Sequence, residues 1–200
     1  HLVESVDPEE YDEVYGVICS PSHISFVDKS NLVSILRGQV NAIMVCSEPF
    51  AAAYGLGEIG GCICVDIGAG TTDVARIYGT FPNEDDEDTL TEAGDWVDEE
   101  LKLLIEKKYT GAQLTKDMVR QWKEAGSYIG DDREMTVELS VDGKKQVVDI
   151  GDLVGIACTS LVPHIVNAVK VIVAGADPEY QPLMRNNIIL TGGGSLIEGV

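Results

Sequence analysis

Apolar and polar positions along the chain switch between two periods, and the switches predict the elements. YGVICS, Tyr15 to Ser20, is a short apolar run rich in β-formers and reads as a strand. In FVDKSNLVSILRGQ, Val27, Leu32, Ile35 and Leu36 recur at helical spacing. AIMVC predicts a second strand that leads through Ser47 into a helix, EPFAAAYGLG. Ser47 is placed to cap that helix, Pro49 suits its first turn and the glycines end it. GCICVDI and TDVARIYG then predict two strands joined by GAGT, a hairpin. Strand, helix, strand, helix and hairpin together predict an α/β sheet carrying an antiparallel part.

Further on, the acidic run Asn83 to Asp88 reads as a solvated loop. GDWVDEELKLLIEKKY places Trp96, Val97, Leu101, Leu104 and Ile105 on one helical face, and LTKDMVRQWKEAGSYIG is a second amphipathic helix. EMTVELSVDGKKQVVDI alternates around Asp142-Gly143, a hairpin signal. GDLVGIACTSLVPHIVNAVKVIVAG predicts a long buried helix kinked at Pro163. NNIILTGGGS is a strand entering a glycine turn, with SLIEGV as the first turn of a helix. No internal repeat or low-complexity segment stands out.

Composition narrows the possible partners. The 200 residues are 44% hydrophobic, enough for a real core, and carry 34 acidic against 14 basic side chains for a net charge of -20. That field repels polyanions, so nucleic acid and anionic membrane are poor partners, and a phosphate ligand needs a local site of backbone N–H groups, a metal ion or a placed cation. Cys19, Cys46, Cys62, Cys64 and Cys158 sit in apolar stretches without a CxxC, which reads as reduced, buried cysteines of a cytosolic protein. No signal peptide is expected from HLVESVDPEE, and no apolar run is expected to span a bilayer.

The candidate chemistry centres on CVDIGAGTTDVA, Cys64 to Ala75. Asp66 falls at the end of an apolar strand, where α/β sheets bind ligands. Gly68 and Gly70 bracket the turn and let a phosphate approach backbone N–H groups; Thr71 and Thr72 add hydroxyls, and Asp73 adds a second carboxylate. Carboxylates beside phosphate call for a divalent cation, and Mg²⁺, which takes few protein ligands, fits. The turn joins strand to strand and lacks Gly-Lys-Ser/Thr, so it is no Walker loop. A plain tight hairpin with an Asx turn is the alternative. Thr191 to Ser195, TGGGS, offers unobstructed backbone to a base or ribose, or is a strand-to-helix turn. Lys123 and Glu124 suit a ribose and base edge, or are a solvated helix face.

Taken together these stretches resemble the actin, hexokinase and heat-shock chaperone ATPase superfamily. CVDIGAGTTDVA resembles its second phosphate hairpin, IILTGGGSLIEGV its adenosine motif and SEPFAAAYGLG its connecting helix. AGDWVDEEL and VRQWKEAGSYIG resemble the stretches that follow in bacterial actins. GTFPNEDDEDTLTEAGDWVDE and PEYQPLMRNNIILTGGGS are most similar to the filament proteins of magnetosome chains, with the cell-shape actins next.

The resemblance implies an actin-like, ribonuclease H-like α/β fold of mixed sheets flanked by helices, incomplete at both ends. Residues 1–56 would be the remainder of a first lobe with the connecting helix, 57–94 and 151–200 the nucleotide-binding core of a second lobe, and 95–150 a small subdomain. Asp66 would hold Mg²⁺ through water, and Gly68, Ala69, Gly70, Thr71 and Thr72 would cradle the β and γ phosphates of ATP or ADP. Glu48 would orient the attacking water with Asp73. Gly192, Gly193, Gly194, Lys123 and Glu124 would surround adenosine, with Gly94 and Asp95 on the ribose side. A cytoplasmic ATPase that polymerises with itself follows, with magnetosome-associated accessory proteins as further partners. The family's first phosphate hairpin and its C-terminal return to the first lobe have no counterpart here, so a longer parent protein is expected. A chaperone-type ATPase and a sugar or acetate kinase are the competing members of the superfamily.

Overall fold

The structure, a computed structural model, describes residues 13–200; the expectations for residues 1–12 lie outside the described residues. The chain begins with β1 (Tyr15–Ser20), α1 (Phe26–Leu36), β2 (Ala42–Ser47) and α2 (Glu48–Leu56), followed by the hairpin β3 (Cys62–Ile67) and β4 (Thr72–Ile77). Next come β5 (Glu87–Leu90), α3 (Gly94–Lys108), β6 (Ala112–Gln113), α4 (Lys116–Gly126), β7 (Thr136–Val141) and β8 (Lys144–Asp149). The remainder is α5 (Gly151–Thr159), α6 (Val162–Ala174), α7 (Gln181–Asn186) and β9 (Ile188–Thr191).

Among the described residues the strands form three sheets. β1 and β2 pair in parallel; β5-β4-β3-β9 is a mixed sheet in which β9 alone runs parallel to its neighbour; β6-β7-β8 is antiparallel. The four-stranded sheet is the centre of the molecule, because β3 and β4 are covered on both faces. Ile63, Val65, Ile67 and Val74 face a large core completed by Val97, Leu101 and Ile105 of α3 and by α5 and α6. Cys62, Cys64, Ala75 and Ile77 face a thinner core under Phe50 and Ala53 of α2. Burial pushes the Cys62 thiol up to about 11 and that of Cys64 to about 12, so both are unreactive small hydrophobes.

Five expectations are corrected. The acidic run is not a solvated loop: Glu84–Asp86 form a 3₁₀ turn and Glu87 opens β5 against Ala75 of β4. Asp86 pairs with Arg76 at 2.5 Å, which holds the end of the turn against the sheet. The long helix is broken, not kinked, since Ser160 and Leu161 separate α5 from α6 and Pro163 lies in the first turn of α6. Proline there needs no N–H partner, whereas within a continuous helix it would have left one bond unmade. Gly151 to Ala174 is long and apolar enough to span a bilayer, contrary to the reading that no run approaches that length. Its apolarity is that of core helices, for α5 buries Leu153, Val154, Ala157 and Cys158. Finally, Cys19 is exposed, unlike the other four cysteines, and Gly193–Leu196 make a 3₁₀ turn where an α-helix start was expected.

The Asp142-Gly143 turn carries positive φ at both positions, 50° and 75°, as its hairpin requires. Ser47 stands at the N-cap of α2 without a side-chain cap bond, and its hydroxyl has no partner among the described residues. β6 and α7 were not foreseen; both are too short for periodicity to show.

Candidate functional site

Strand register decides which side chains meet. In the β3–β4 pair Asp66 lies directly opposite Asp73, on the face that also carries Cys64 and Ala75 toward α2. β2 runs straight into α2, so Glu48, the first residue of that helix, arrives at the same end of the sheet. Burial raises the carboxyl of Glu48 above its ordinary range, with further contributions from the charges of Asp66 and Asp73. Asp66 is raised as well, by burial first and by Asp73 second. Three carboxylates crowded at one place in this way ask for a positive charge. Among the described residues no three His, Cys, Asp or Glu side chains are arranged to cage a metal by themselves.

Asp73 is 1% exposed and fully engaged. Its Oδ1 accepts from the Ser22 backbone N–H at 2.7 Å and the Thr89 hydroxyl at 2.6 Å, and its Oδ2 accepts from the Thr71 hydroxyl at 2.9 Å. The side chain therefore ties the hairpin turn to β5 and to the loop after β1. His23 donates its N–H to the same Thr89 hydroxyl at 3.1 Å. Thr72 is buried, and its hydroxyl donates to the carbonyl of Glu92 at 2.7 Å, which anchors the approach to α3.

The hairpin turn and the start of α3 are built against each other. Gly68 closes the turn by donating to Thr71 at 2.9 Å, and its own carbonyl accepts from Gly94 at 3.0 Å. The Asp95 N–H donates to the Ala69 carbonyl at 2.7 Å. A side chain at Gly94 would meet the Gly68 carbonyl at 3.2 Å and the Lys123 ammonium at 3.4 Å, a tight fit that favours glycine. Lys123 donates to the Gly94 carbonyl at 2.9 Å and pairs with Asp98 at 2.9 Å, which fixes α4 over the same spot. Asp95 itself points outward toward Arg120 at 3.5 Å.

Beyond β9, Gly192 takes φ 78°, and a side chain there would run into the Asp66 carboxylate and the Ile67 carbonyl. Gly194 rests on the Ile67 side chain, while nothing crowds Gly193. The result is a cavity of about 370 Å³ that brings together Gly68, Ala69, Gly94, Lys123, Glu124, Gly193 and Gly194. Four segments far apart in sequence thus share one hollow. Gly70, Thr71, Thr72 and Asp95 do not line it, Gly192 sits behind it against Asp66, and Glu48, Asp66 and Asp73 lie at the base of the hairpin.

Sequence reasoning missed the floor of this cavity, Ile67, Val97, Leu161 and Ile197, because those residues carry only an ordinary core signal. It also missed Ser22 and Thr89, the partners of Asp73, which are 51 and 16 positions away from it in the chain.

The arrangement can be set beside known proteins. The sequence matches the MreB/Mbl protein family over residues 4–200. The chain belongs to the MreB/Mbl family. It is 37% identical, over its whole length, to the actin-like protein MamK of Magnetospirillum gryphiswaldense, of which it spans 56%. Among solved structures it superposes on a MamK double helical filament with a TM-score of 0.91, at 36% identity and covering 62% of that chain. A non-polymerising MamK variant bound to AMPPNP gives a TM-score of 0.86, again at 36% identity over all of this chain and 62% of the other. The fold is therefore actin-like, α/β with mixed sheets, and the chain spans somewhat more than half the length of these relatives.

Proposed function

We propose that the protein is an ATP-binding, ATP-hydrolysing actin homologue that polymerises with itself and organises magnetosome chains in the cytoplasm. The observation that carries this reading is the 370 Å³ cavity, in which four separate segments converge beside a hairpin ending in carboxylates. MamK's filament and its AMPPNP complex support the same conclusion. In this reading residues up to 56 belong to a first lobe, 57–94 and 151–200 to the nucleotide-binding core, and 95–150 to a small subdomain. The central sheet, built from β3, β4, β5 and β9, is shared by the two core segments.

Adenosine would lie against Gly193 and Gly194, with Lys123 and Glu124 at its edge, and the phosphates against the hairpin turn from Gly68 to Thr71. Hydrolysis needs an oriented water and stabilised charge rather than a protein nucleophile. Glu48, its carboxyl raised by burial and by its acidic neighbours, would accept a hydrogen bond from that water. Asp73 acts one step back, by holding Thr71 and the turn in position. Mg²⁺ would supply the charge neutralisation, held through water by Asp66, whose half-buried carboxylate sits beside that of Asp73.

The test is sedimentation of the full-length gene product with ATP, with ADP and without nucleotide, with phosphate release followed in parallel for wild type, Asp66→Ala and Glu48→Ala. Assembly with ATP, and a Glu48→Ala protein that assembles but hydrolyses slowly, is the expected result. Phosphate release without assembly at high protein concentration would overturn the filament reading in favour of a chaperone-type ATPase or kinase.

A further inference from the structure

A second cavity, polar and of about 220 Å³, lies where the loop after β1, the β2–α2 junction and β5 meet. Ser22, Ser47 and Glu87 form part of its wall, Lys29 of α1 brings a positive charge to it, and Phe81 and Pro82 enclose it. Three buried polar atoms there, Ser22 Oγ, Ser47 Oγ and Glu87 Oε1, have no hydrogen-bond partner among the described residues. Ser22 is 5% exposed. Its backbone N–H is spent on Asp73, so its hydroxyl looks to the cavity for a partner.

Buried polar groups left unmatched are rare in folded proteins, and three around one hollow call for a partner beyond the weak interactions the Ser22 and Ser47 hydroxyls make with Glu87, which ordered water or a guest would supply. The volume is several times that of one water molecule. Burial pushes the Glu87 carboxyl above its ordinary range, against the opposing influence of the nearby Ser47 and Ser22 hydroxyls, His23 and Lys29.

Charge selects among guests. A simple anion would meet Glu87, and the chain's net charge of -20 disfavours it further. A simple cation would meet Lys29. A neutral molecule would leave Glu87 and Lys29 only each other's charge across the hollow. A dipolar guest satisfies each end, because an ammonium has three donors for the carboxylate and two hydroxyls, and a carboxylate suits the lysine.

We propose that this cavity binds a small zwitterion of the amino-acid class, with its ammonium on Glu87, Ser22 and Ser47 and its carboxylate on Lys29. The site is separate from the nucleotide cavity, and its existence does not depend on the nucleotide reading. Because Ser22 also holds Asp73, occupancy would steady the loop that fastens the phosphate hairpin.

Isothermal titration of the full-length gene product with glycine, β-alanine and γ-aminobutyrate, which differ in charge separation, tests the proposal. Butyrate, butylamine and glycine betaine, which lacks N–H donors, serve as controls. One of the three amino acids should bind at least about tenfold more tightly than every control. Glu87→Gln, isosteric and suited to a buried place, and Lys29→Met on exposed α1 should each weaken that binding by about tenfold or more. Ser34→Ala, on α1 away from the cavity, should leave it unchanged. Absence of binding by all three at millimolar concentration would show a cavity that holds only water. Equal binding of single-charge controls, or binding undiminished in the Lys29→Met protein, would likewise overturn the proposal.

Discussion

The two faces of the β3–β4 hairpin obey one alternation and come to different ends. On the α3 side, Ile63, Val65, Ile67 and Val74 are fully buried to the last residue of β3, against a deep helical layer. On the α2 side the same alternation starts with Cys62, Cys64, Ala75 and Ile77 and finishes with Asp66 opposite Asp73. The difference arises where α2 begins: its first residue is Glu48, so the apolar cover stops there and the sheet's last pair meets carboxylates instead. One face supplies rigidity, and the other uses it to hold charges that would otherwise move apart. That is the usual relation between a packed scaffold and a site it preorganises.

Substitutions can break this contrast at graded points. The largest stability loss should come from the purely structural face: Ile63→Ala, at a fully buried position that lines no cavity, should lose about 3–4 kcal/mol. Urea unfolding measures it, and a loss below about 1 kcal/mol would show that the face tolerates gaps.

Gly192→Ala comes next. A left-handed backbone and a methyl group pressed into Asp66 and Ile67 should cost about 1–3 kcal/mol and displace the Asp66 carboxylate. Nucleotide affinity, followed with a fluorescent ATP analogue, should fall by more than that of Gly193→Ala, where nothing crowds the added methyl.

Asp73→Asn sharpens the comparison on the charged face. An amide oxygen in the Oδ1 place still accepts from the Ser22 N–H and the Thr89 hydroxyl, and the Thr71 hydroxyl can rotate to accept from the amide nitrogen, so the variant should lose only the charge-assisted part of these bonds, about 1 kcal/mol. Thr89→Val, which removes one donor to the carboxylate and the acceptor of the His23 N–H, should lose at least as much.

The smallest effect is electrostatic. Glu48 and Asp66 carry raised pKa values in the fold, so they bind protons more tightly folded than unfolded. Their charged forms therefore subtract stability above the folded pKa, and the penalty is relieved as pH falls through that value toward the unfolded range near 4. Glu48→Gln with Asp66→Asn should raise the melting temperature at pH 7 by about 1–3 °C and flatten its rise on mild acidification. Solvent screening keeps the Glu48 share small. Asp86, lowered mainly by its bonds to Asn83 and Arg76 despite the opposing effect of burial, has the opposite sign and loses its contribution as pH falls. An unchanged pH profile in the double variant would mean that the two carboxylates are not strained by the fold.

Much of this was legible beforehand because it is local. Cys62 to Ile67 and Thr72 to Ile77 announce a hairpin through their apolar runs and glycine turn, and the pair is found as expected. The helix on Trp96, Val97, Leu101 and Ile105 follows from a 3.6-residue period that packing merely used. The acidic run misled, because composition shows charge and not the pairing of Asp86 with Arg76 or of Glu87 with β4. Pro163 was read as a kink since a single proline cannot reveal that the chain restarts at Val162. Thr89 gave no signal at all, as a threonine in a short edge strand is ordinary until an aspartate reaches it.

By itself the sequence determined the hairpin, its order among helices, the glycines and the acids at its end, since these depend on periods and turn chemistry within a few residues. Tertiary structure alone decided that Gly68, Gly94, Lys123 and Gly193 share a cavity, and that Asp73 is spent on Ser22, Thr71 and Thr89. Distances between remote segments are set by how faces pack, and a linear pattern contains the faces but not their meeting.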